Sequence, residues 1–358
     1  MCAYEYSKRL GIISVELFQA ALNRFSLGTF VKAEPVPYGL FGQNVFLTST
    51  EGEFVLRGAP HFAWQFPTEQ FFVQLLHERT QASVPWPYLI DPAKDIFGWS
   101  YAVMPRMPGL QLADIEVKSA LSEEDRRGIA RAMAENLALM QKLVWPIPGR
   151  YDTGINTVRP FELRQELAWP FPIEDDELAR MVPPTTVTNS ERIVARIRHL
   201  LACSRKYNNR TTVSDIEWVE GLIADAENAL VGFFQPCFVM EDYKEQNVVV
   251  QNVGGIWQVS GVFDFMEAHY GDGEADLSRT VAMYLDEDPE LASEFVCAYV
   301  SKKRPRPGFA ERFPVYMLAD RAIIWEYCQR NGSVPWDEDW SFRDWASRYT
   351  SCFSMLQV

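Results

Sequence analysis

The chain has 358 residues, which is enough for two compact units or for one fold of two lobes. Hydrophobic residues make up 47% of it and charged residues 23%, an ordinary balance for a soluble globular protein. The formal net charge is −14, and this acidity disfavours nucleic acid as a partner because phosphate binding requires a basic face. An acidic surface favours cationic ligands instead.

The cysteines and histidines do not predict a zinc or redox site. The six cysteines have no C-x-x-C spacing, and the four histidines have no H-x-x-x-H pair. Residues 1–22 are predicted to form an amphipathic helix without the cleavage site of a signal peptide. No apolar stretch approaches the length of a membrane span, so we expect no membrane partner and a cytoplasmic location with reduced cysteines.

The first part of the chain is predicted to be rich in β-strands. Residues 34–58 have the alternation of a hairpin, and a helix follows over 67–80 with Thr68 as its N-cap. Residues 84–90 are predicted to be extended, because each proline disfavours helix at the residue before it. A further strand over 98–109 ends in a connector rich in proline and glycine.

The rest of the chain is predicted to be mainly helical, with one embedded β region. That region covers residues 237–268 and contains a hairpin with its turn at 252–255. The fold class is therefore α+β, with residues 1–105 as the first lobe and 106–358 as the second. The predicted helices cover 122–143 (with Ser122 and Asp125 in a capping box), 189–207, 214–230 and the region from about 276 onward.

The embedded hairpin carries the chemical signal. Asp242 and Asn247 precede its first strand, and Asp264 follows its second strand between Phe263 and Phe265. Magnesium-dependent phosphoryl transfer requires one carboxylate to orient the attacking hydroxyl and accept its proton, and an amide and a second carboxylate to hold the metal. A turn with a capping side chain is the alternative explanation for Asp242 and Asn247, and a cap at the end of a strand is the alternative for Asp264.

In these motifs the chain resembles the aminoglycoside phosphotransferase family, which includes choline-kinase-like enzymes and has a protein-kinase-like fold. The family's H-G-D-x-x-x-x-N motif falls on residues 240–247, its I-D-[FW]-x-x-A motif on 263–268, and its G-D-P-x-x-D-L motif on 271–277. The resemblance covers residues 30–152 and 237–290, and residues 153–236 match no motif. It implies that Asp242 is the catalytic base and that Asn247 and Asp264 bind Mg²⁺.

The resemblance extends to the nucleotide-binding lobe. The segment "GQNVFLTSTEGEFVLR" (42–57), which includes Gly42 and Asn44, is similar to the family's nucleotide-covering hairpin. Arg57 fills the position of the phosphate-binding cation, and Glu69 fills that of the acid paired with it; a surface ion pair is the alternative. The segment 101–109 resembles the strand and hinge that hold the base of ATP or GTP. Backbone groups of three residues are implied there: Val103, Met104 and Arg106.

Two residues depart from the family pattern next to the catalytic aspartate. Met240 stands in place of the usual histidine, and Glu241 stands in place of the usual glycine. Methionine fills space without donating a hydrogen bond, and a residue other than glycine restricts the loop. Because the carboxylates and the amide are all present, we interpret the chain as an active kinase.

The acceptor is predicted to be a small molecule with a hydroxyl group, and the acidic second lobe favours a cationic, aminoglycoside-like molecule. Glu267, Asp272 and Glu274 are its candidate ligands; a solvated acidic surface is the alternative. A choline-like or sugar substrate, and a catalytically weak nucleotide-binding pseudokinase, remain open alternatives. The protein is expected to be a monomer or a homodimer.

Overall fold

The computed structural model describes residues 3–36, 42–168 and 181–355. The chain divides into two compact units. The first consists of Met1–Asp125, Asp152–Asn156 and Glu245–Ala268, and the second of Arg126–Tyr151, Thr157–Lys244 and His269–Val358.

Strands and helices are numbered here in chain order within the described residues. The strands are β1 (Ala3–Ser7), β2 (Gly11–Ser14), β3 (Phe30–Pro35), β4 (Asn44–Ser49), β5 (Gly52–Gly58), β6 (Leu89–Asp91), β7 (Tyr101–Pro105), β8 (Leu110–Gln111), β9 (Arg150–Asp152), β10 (Thr157–Arg159), β11 (Cys237–Val239), β12 (Val248–Val253), β13 (Ile256–Val262) and β14 (His269–Gly271). The helices are α1 (Val15–Arg24), α2 (Gln65–Arg79), α3 (Ile115–Ser119), α4 (Glu123–Met140), α5 (Leu163–Leu167), α6 (Asn189–Ser204), α7 (Val213–Leu230), α8 (Leu277–Glu287), α9 (Pro289–Lys302), α10 (Phe309–Asn331) and α11 (Phe342–Thr350).

An antiparallel sheet with the strand order β3-β4-β5-β7-β6 forms the centre of the first unit. Alternate residues of β4, Val45 and Leu47, are buried, as expected for a strand with one face on a core. They pack in a cluster with Leu56, Val103 and Phe18. The predicted hairpin is confirmed by β4 and β5, while Gly39, another glycine of that segment, lies outside the described residues.

The prediction of an N-terminal helix is wrong for the first part of the segment. Residues 3–14 form the β1–β2 hairpin, and helix α1 begins only at Val15. Tyrosines and isoleucines favour strands, and Gly11 has the positive φ of 70° that the turn region requires. The apolar residues therefore follow a strand period first and a helical period only afterwards.

The helix predicted over 67–80 is present as α2, but its predicted start is wrong. Trp64 is the N-cap, and Thr68 is a buried residue inside the helix. The Thr68 N–H bonds to the Trp64 carbonyl, so the threonine continues the helical ladder and does not begin it.

The hairpin of β12 and β13 forms a small sheet with β8, in which Val249 pairs with Gln111. Its turn contains Gly254 and Gly255, both with positive φ, as the sequence predicted. Gly109 precedes β8, and a Cβ atom on it would lie 2.5 Å from the Val250 carbonyl oxygen. This pairing places residues 106–125 and the hairpin in the first unit, so the compact units divide differently from the predicted boundary after residue 105.

The second unit is mainly helical, which together with the sheet of the first unit confirms the predicted fold class. Ser122 caps α4, because its hydroxyl accepts from the Asp125 N–H at 3.2 Å and the Asp125 carboxylate accepts from the Ser122 N–H. Capping boxes also begin helices α6, at Thr188, and α7, at Thr212. Within the ranges that the structure describes, no helix is both long and apolar enough to cross a membrane.

Candidate active site

The loop between β11 and β12 holds Asp242, the predicted base. The Lys244 ammonium lies 2.7 Å from Asp242 Oδ2, and Arg279 Nε, from α8, lies 3.6 Å from Asp242 Oδ1. Arg279 also contacts Asp320 of α10 at 2.7 Å. Two cations thus hold the Asp242 carboxylate in place.

The backbone before Asp242 is held by a second carboxylate. Asp276 Oδ2 accepts from the Met240 N–H at 2.6 Å, and Asp276 Oδ1 accepts from the Glu241 N–H at 2.7 Å. Burial raises the pKa of Asp276 to about 7, although these two hydrogen bonds favour the charged form. Asp276 therefore braces the backbone that leads to Asp242.

The two departures from the family pattern have separate structural explanations. Met240 is fully buried, where a flexible apolar side chain fills space. Glu241 has a φ of 69°, the left-handed conformation that glycine adopts without strain. The loop therefore keeps a backbone suited to glycine, and the glutamate side chain must offset the strain.

The Glu241 side chain ends among arginines. Arg150 Nη2 lies 3.3 Å and Arg192 Nη2 3.1 Å from Glu241 Oε2, and Arg196 Nη1 bonds to Glu241 Oε1. Burial alone raises a carboxyl pKa, but the arginines outweigh it and hold the pKa of Glu241 well below its usual range. Sequence reasoning missed this network, although Arg192 and Arg196 are four apart on α6 and share one face.

A second buried carboxylate shares two of these arginines. Glu166 accepts from Arg150 Nε at 2.7 Å and from Arg192 Nε at 2.6 Å. Burial opposes its charge, yet the guanidinium groups lower the pKa of Glu166 to about 2. His269 contacts Glu241 and Arg192 of this network. Burial and the charge of Arg192 lower the pKa of His269 well below the usual value, so its ring is neutral at pH 7.

Asn247 directly precedes β12 and Asp264 follows β13, so the two predicted metal ligands flank the hairpin in the first unit. The Phe263 N–H donates to the Asn247 carbonyl at 3.1 Å, which fixes the two ends against each other. Asp264 has a φ of 75°, and its Oδ1 accepts from Arg57 Nη2 at 2.8 Å. This places the Asp264 carboxylate at the end of the hairpin, beside the arginine that is expected to bind phosphates.

Arg57 pairs with Glu69, as the sequence predicted, and the pair is not at the surface. Arg57 Nη1 lies 3.2 Å from Glu69 Oε2, and both side chains are buried. The Tyr88 hydroxyl donates to Glu69 at 2.8 Å. Burial raises the pKa of Glu69 to about 7 against the opposing effect of Arg57. Arg57 Nε is buried and has no hydrogen-bond partner among the described residues.

A pocket within the first unit has an empty volume of about 730 Å³, counted out to its mouth. Four predicted nucleotide-site residues line it together with Phe263 and Val249: Asn44, Arg57, Met104 and Arg106. Asn44 and Arg57 are direct partners in the β4–β5 pairing, so they share one end of that hairpin. The structure therefore brings most of the predicted nucleotide residues to one pocket.

The backbone groups of three predicted nucleotide residues, Val103, Arg106 and Gly42, are engaged within the first unit. Val103 is paired on both sides, with Leu56 and with Leu89, so its backbone is not open to a base. The Arg106 N–H donates to the Glu53 carbonyl at 3.0 Å, which removes it as a base ligand. Gly42 does not line the pocket; its carbonyl accepts from the Ser7 hydroxyl at 2.6 Å.

The edge of β7 beyond Val103 is open to a ligand on one side. Strand β6 pairs with residues 101–103 of β7 only, whereas β5 continues to pair through Pro105. Met104, Pro105 and Met107 line the pocket at this edge.

Two of the three predicted acceptor ligands, Asp272 and Glu274, form buried ion pairs with arginines. Asp272 Oδ2 accepts from Arg306 Nη2 at 2.6 Å and from the Tyr316 hydroxyl at 2.7 Å. Glu274 Oε2 accepts from Arg312 Nη2 at 2.6 Å, and both carboxylates are buried. Their charges are therefore neutralised inside the second unit and do not present an acidic surface. Glu267, in the first unit, is partly exposed.

Sequence reasoning also missed Lys244 and Arg279. Lys244 lies inside the motif at residues 240–247, between Asp242 and Asn247, and the motif assigns it no role. Arg279 had no sequence signal, because its approach to Asp242 depends on how α8 packs. Gln141, which replaces a common histidine of the family, braces the helices by donating to the Gly273 carbonyl at 2.8 Å and accepting from Tyr299.

The donor atoms near Arg57 suit magnesium more than a transition metal. Within 3–36, 42–168 and 181–355, no group of three or more His, Cys, Asp or Glu side chains is arranged to hold a metal by itself. Asn247 and Asp264 offer an amide and a carboxylate, the hard oxygen donors that Mg²⁺ prefers. Mg²⁺ is commonly held by one or two such groups, with phosphate and water completing its shell.

Comparison with known proteins identifies the family. The model of the phosphotransferase enzyme family (APH) matches residues 32–309. No curated protein sequence matches the chain.

Solved structures of low sequence identity share the fold. A Ralstonia eutropha JMP134 protein provisionally named an aminoglycoside phosphotransferase is 13% identical with a TM-score of 0.59, and the match covers 96% of this chain and 97% of that one. Aminoglycoside phosphotransferase APH(4)-Ia, in a ternary complex with ADP and hygromycin B, is 12% identical with a TM-score of 0.55, covering 94% and 97%. A Haemophilus somnus 129PT protein provisionally named fructosamine-3-kinase is 14% identical with a TM-score of 0.55, covering 96% of each chain.

Proposed function

This chain belongs to the phosphotransferase enzyme family and is a kinase that transfers a phosphoryl group to a hydroxyl; we propose that the donor is ATP or GTP with Mg²⁺ and that the acceptor is a small molecule. The observation that carries the proposal is Arg57, which lines a base-sized pocket and pairs with both Glu69 and Asp264. A cation in this position, held by one acid and next to a second, is the arrangement that phosphoryl transfer requires.

The first unit would bind the nucleotide. The base would lie along the open edge of β7, and Arg57 would contact the phosphates. The unpartnered Nε of Arg57 supports this role, because a buried donor without a partner favours an incoming oxygen atom. Glu69 and Tyr88 would keep the guanidinium group oriented. An arginine binds phosphate as a fork, so it also selects the orientation of the phosphate.

Asn247 and Asp264 would hold Mg²⁺. The ion neutralises charge on the transferring phosphoryl group when it is bound. Because Asp264 already contacts Arg57, the carboxylate would be shared between a guanidinium group and the metal. Its position at the end of the hairpin, fixed through Asn247, would limit its movement.

Asp242 would accept the proton of the acceptor hydroxyl. Its carboxylate is partly exposed, as a base that meets a substrate must be, and Lys244 and Arg279 hold its two oxygen atoms. Lys244 is also placed to neutralise charge on a phosphoryl oxygen. Catalysis would rest mainly on orientation and electrostatics, because phosphoryl transfer involves little covalent chemistry by the protein.

Three kinds of acceptor follow from the family resemblance, and we keep them as competing proposals. An aminoglycoside is supported by a relative whose solved complex contains hygromycin B with ADP. A sugar-like metabolite is supported by a relative named for fructosamine. A choline-like alcohol is the third. We also propose a cytoplasmic monomer or homodimer that binds neither membrane nor nucleic acid.

A thermal-shift titration with ATP or GTP, with and without Mg²⁺, tests the nucleotide proposal. We expect the native protein to gain several degrees with nucleotide and Mg²⁺ together, because ligand binding to the folded state alone stabilises it. Asp264→Ala is expected to lose the Mg²⁺-dependent part of this gain. The matched control is Asp95→Ala, which removes an exposed carboxylate of the same unit that pairs with Arg24.

Two results would contradict the proposal. If neither nucleotide shifts the native protein, the first unit does not bind nucleotide. If Asp264→Ala and Asp95→Ala respond equally, Asp264 does not hold the metal. A shift without ADP formation, over a panel of aminoglycosides, sugars and amino alcohols, would favour the pseudokinase alternative.

A further inference from the structure

A cleft within the second unit lies beside the catalytic loop. Its empty volume is about 560 Å³, counted out to its mouth. Helix α6 contributes Arg192 and Arg196, the catalytic loop contributes Glu241, and α10 contributes Tyr316 and Asp320. The cleft is thus built from the arginine network described above.

Positive charge exceeds negative charge in this network. Three guanidinium groups face two carboxylates: Arg150, Arg192 and Arg196 against Glu166 and Glu241. His269 does not change the balance, because burial and Arg192 lower its pKa well below the usual value. An excess of one positive charge is therefore concentrated beside the cleft, in a protein whose formal net charge is −14.

Arg196 has two N–H donor atoms that no described residue accepts from. Only 6% of the residue is exposed, and its Nη1 bonds to Glu241. Its Nε and Nη2 atoms are buried and have no hydrogen-bond partner among the described residues. Glu241 cannot satisfy them, because its two oxygen atoms are already shared with Arg150 and Arg192. A buried guanidinium donor without a partner is costly unless a ligand or water pairs with it.

Two residues on the wall of the cleft are connected to the proposed base, Asp242. Glu241, on its wall, directly precedes Asp242 in the chain. Asp320, also on its wall, contacts Arg279 at 2.7 Å, and Arg279 contacts Asp242 at 3.6 Å. A small molecule bound in the cleft would therefore have its hydroxyl groups close to the residue that is proposed to accept the proton.

We propose that the acceptor carries an oxyanion, a carboxylate or a phosphate, that binds the free edge of Arg196 in this cleft. The inference rests on the proposed kinase function, adds the charge of the acceptor to it, and argues against the cationic aminoglycoside and choline-like acceptors. A guanidinium group presents two parallel N–H donors, which match a carboxylate or a phosphate in a bidentate arrangement. The phosphorylated hydroxyl then belongs to the same small molecule as the anionic group.

The acidic residues of the cleft do not favour a cation. Asp272 is paired with Arg306 and Tyr316. Asp320 is paired with Arg279 and with Arg321. With each carboxylate neutralised by an arginine of the protein, an ammonium group entering the cleft would meet the excess positive charge near Arg196 without a free acid to offset it.

The first test measures anion binding without turnover. Acetate and inorganic phosphate are titrated at constant ionic strength against chloride, and the melting temperature is followed for the native protein and two variants. Arg196→Gln removes the proposed ligand. Arg198→Gln is the matched control, because Arg198 lies on the same helix, is 56% exposed and pairs with Glu220. We expect at least one anion to stabilise the native protein and Arg198→Gln, but not Arg196→Gln.

The comparison of acetate with phosphate distinguishes the two sources of the oxyanion. Stabilisation by acetate indicates a carboxylate, and stabilisation by phosphate alone indicates a phosphate. Phosphate that binds at Arg57 in the other unit would stabilise Arg196→Gln as much as the native protein. If Arg196→Gln does not fold, Arg196→Lys keeps the charge but removes the fork, and its response should be smaller than that of the native protein. An equal response of the Arg196 variant, or no response of the native protein, would overturn the inference.

The second test measures acceptor choice with a set of molecules that share one carbon skeleton. Glucose, glucosamine, gluconate and glucose 6-phosphate differ in charge, and ADP formation is followed with each. We expect the anionic members to be used with a kcat/KM about 10- to 100-fold above that of glucose, the range of a charge-assisted hydrogen bond. Arg196→Gln should abolish this preference, and Arg198→Gln should keep it.

These outcomes separate the inference from the kinase function. Phosphorylation of glucose or glucosamine in preference to the anionic members would overturn the anionic acceptor and leave the kinase in place. Anion binding at Arg196 without any Mg²⁺-nucleotide shift would support the anion site and overturn the kinase function.

Discussion

Replacing Glu241 by the glycine that is usual in the family should destabilise this protein. Glu241 has a φ of 69°, and glycine would relieve a left-handed strain of about 1–2 kcal/mol. About half of this stabilisation is offset, because a glycine gives the unfolded chain more conformational freedom, which is lost on folding. The backbone alone therefore predicts a small net stabilisation on replacing Glu241 with glycine.

The side chain has the larger effect in the opposite direction. Glu241→Gly removes a carboxylate that contacts Arg150, Arg192 and Arg196, and leaves three buried guanidinium groups facing Glu166. Removing one partner of a buried ion pair costs about 3–5 kcal/mol, because the remaining charge is desolvated and unpaired. The net expectation is a loss of about 3 kcal/mol in the free energy of unfolding.

Urea unfolding at pH 7, followed by far-UV circular dichroism, measures this loss. Two variants separate the opposing effects. Ala59→Gly replaces a residue at φ 49° that has no charged side chain, so it reports the change to glycine without the loss of an ion pair. Glu241→Gln keeps the strain and removes the charge, and should lose stability. If Glu241→Gly is as stable as the native protein, or more stable, then the ion pairs with the arginines do not outweigh the backbone strain of Glu241.

Three further predictions concern catalysis, acid stability and a tight backbone contact. Asp242→Asn should lower kcat by about 10²–10⁴-fold while the nucleotide thermal shift stays close to native, and retained turnover would show that the base is another group. Glu166 has its pKa lowered from 4.5 to about 2, so its stabilisation is complete above pH 4.5 and is lost as the pH falls toward 2. The difference in unfolding free energy between native protein and Glu166→Gln should therefore be about 3 kcal/mol above pH 4.5 and shrink in more acidic buffer; a constant difference would contradict the assigned pKa. Gly109→Ala should destabilise by about 2 kcal/mol or more, because the added Cβ would lie 2.5 Å from the Val250 carbonyl at a φ of 129°, and an unchanged melting temperature would argue against this close approach.

Much of the fold was predictable because it depends on local patterns. The β4–β5 hairpin, the β12–β13 hairpin and helix α4 follow from alternation, turn glycines and the Ser122–Asp125 capping box. Each of these signals lies within a few residues of the element that it specifies. The N-terminal hairpin was missed because a strand period and a helical period are joined there without a break.

The candidate site was predictable in its residue types but not in its charge balance. Asp242, Asn247 and Asp264 stand out from their spacing around a hairpin, and Arg57 with Glu69 stand out from the resemblance to a family. The environments of Asp272 and Glu274 were not predictable, since their arginine partners, Arg306 and Arg312, lie more than 30 residues away in sequence.

The amino-acid sequence by itself determined the fold class, the catalytic motifs and the kind of chemistry, because each depends on residues close together in the chain. Only the tertiary structure decided what Glu241 does. In the sequence it is a departure from a motif, next to a catalytic aspartate. In the folded protein three arginines from β9 and α6 surround it, and Asp276 holds its backbone. Long-range packing concentrates those charges, so the sequence pattern predicts an acidic protein and the structure places a cluster of buried arginines inside it.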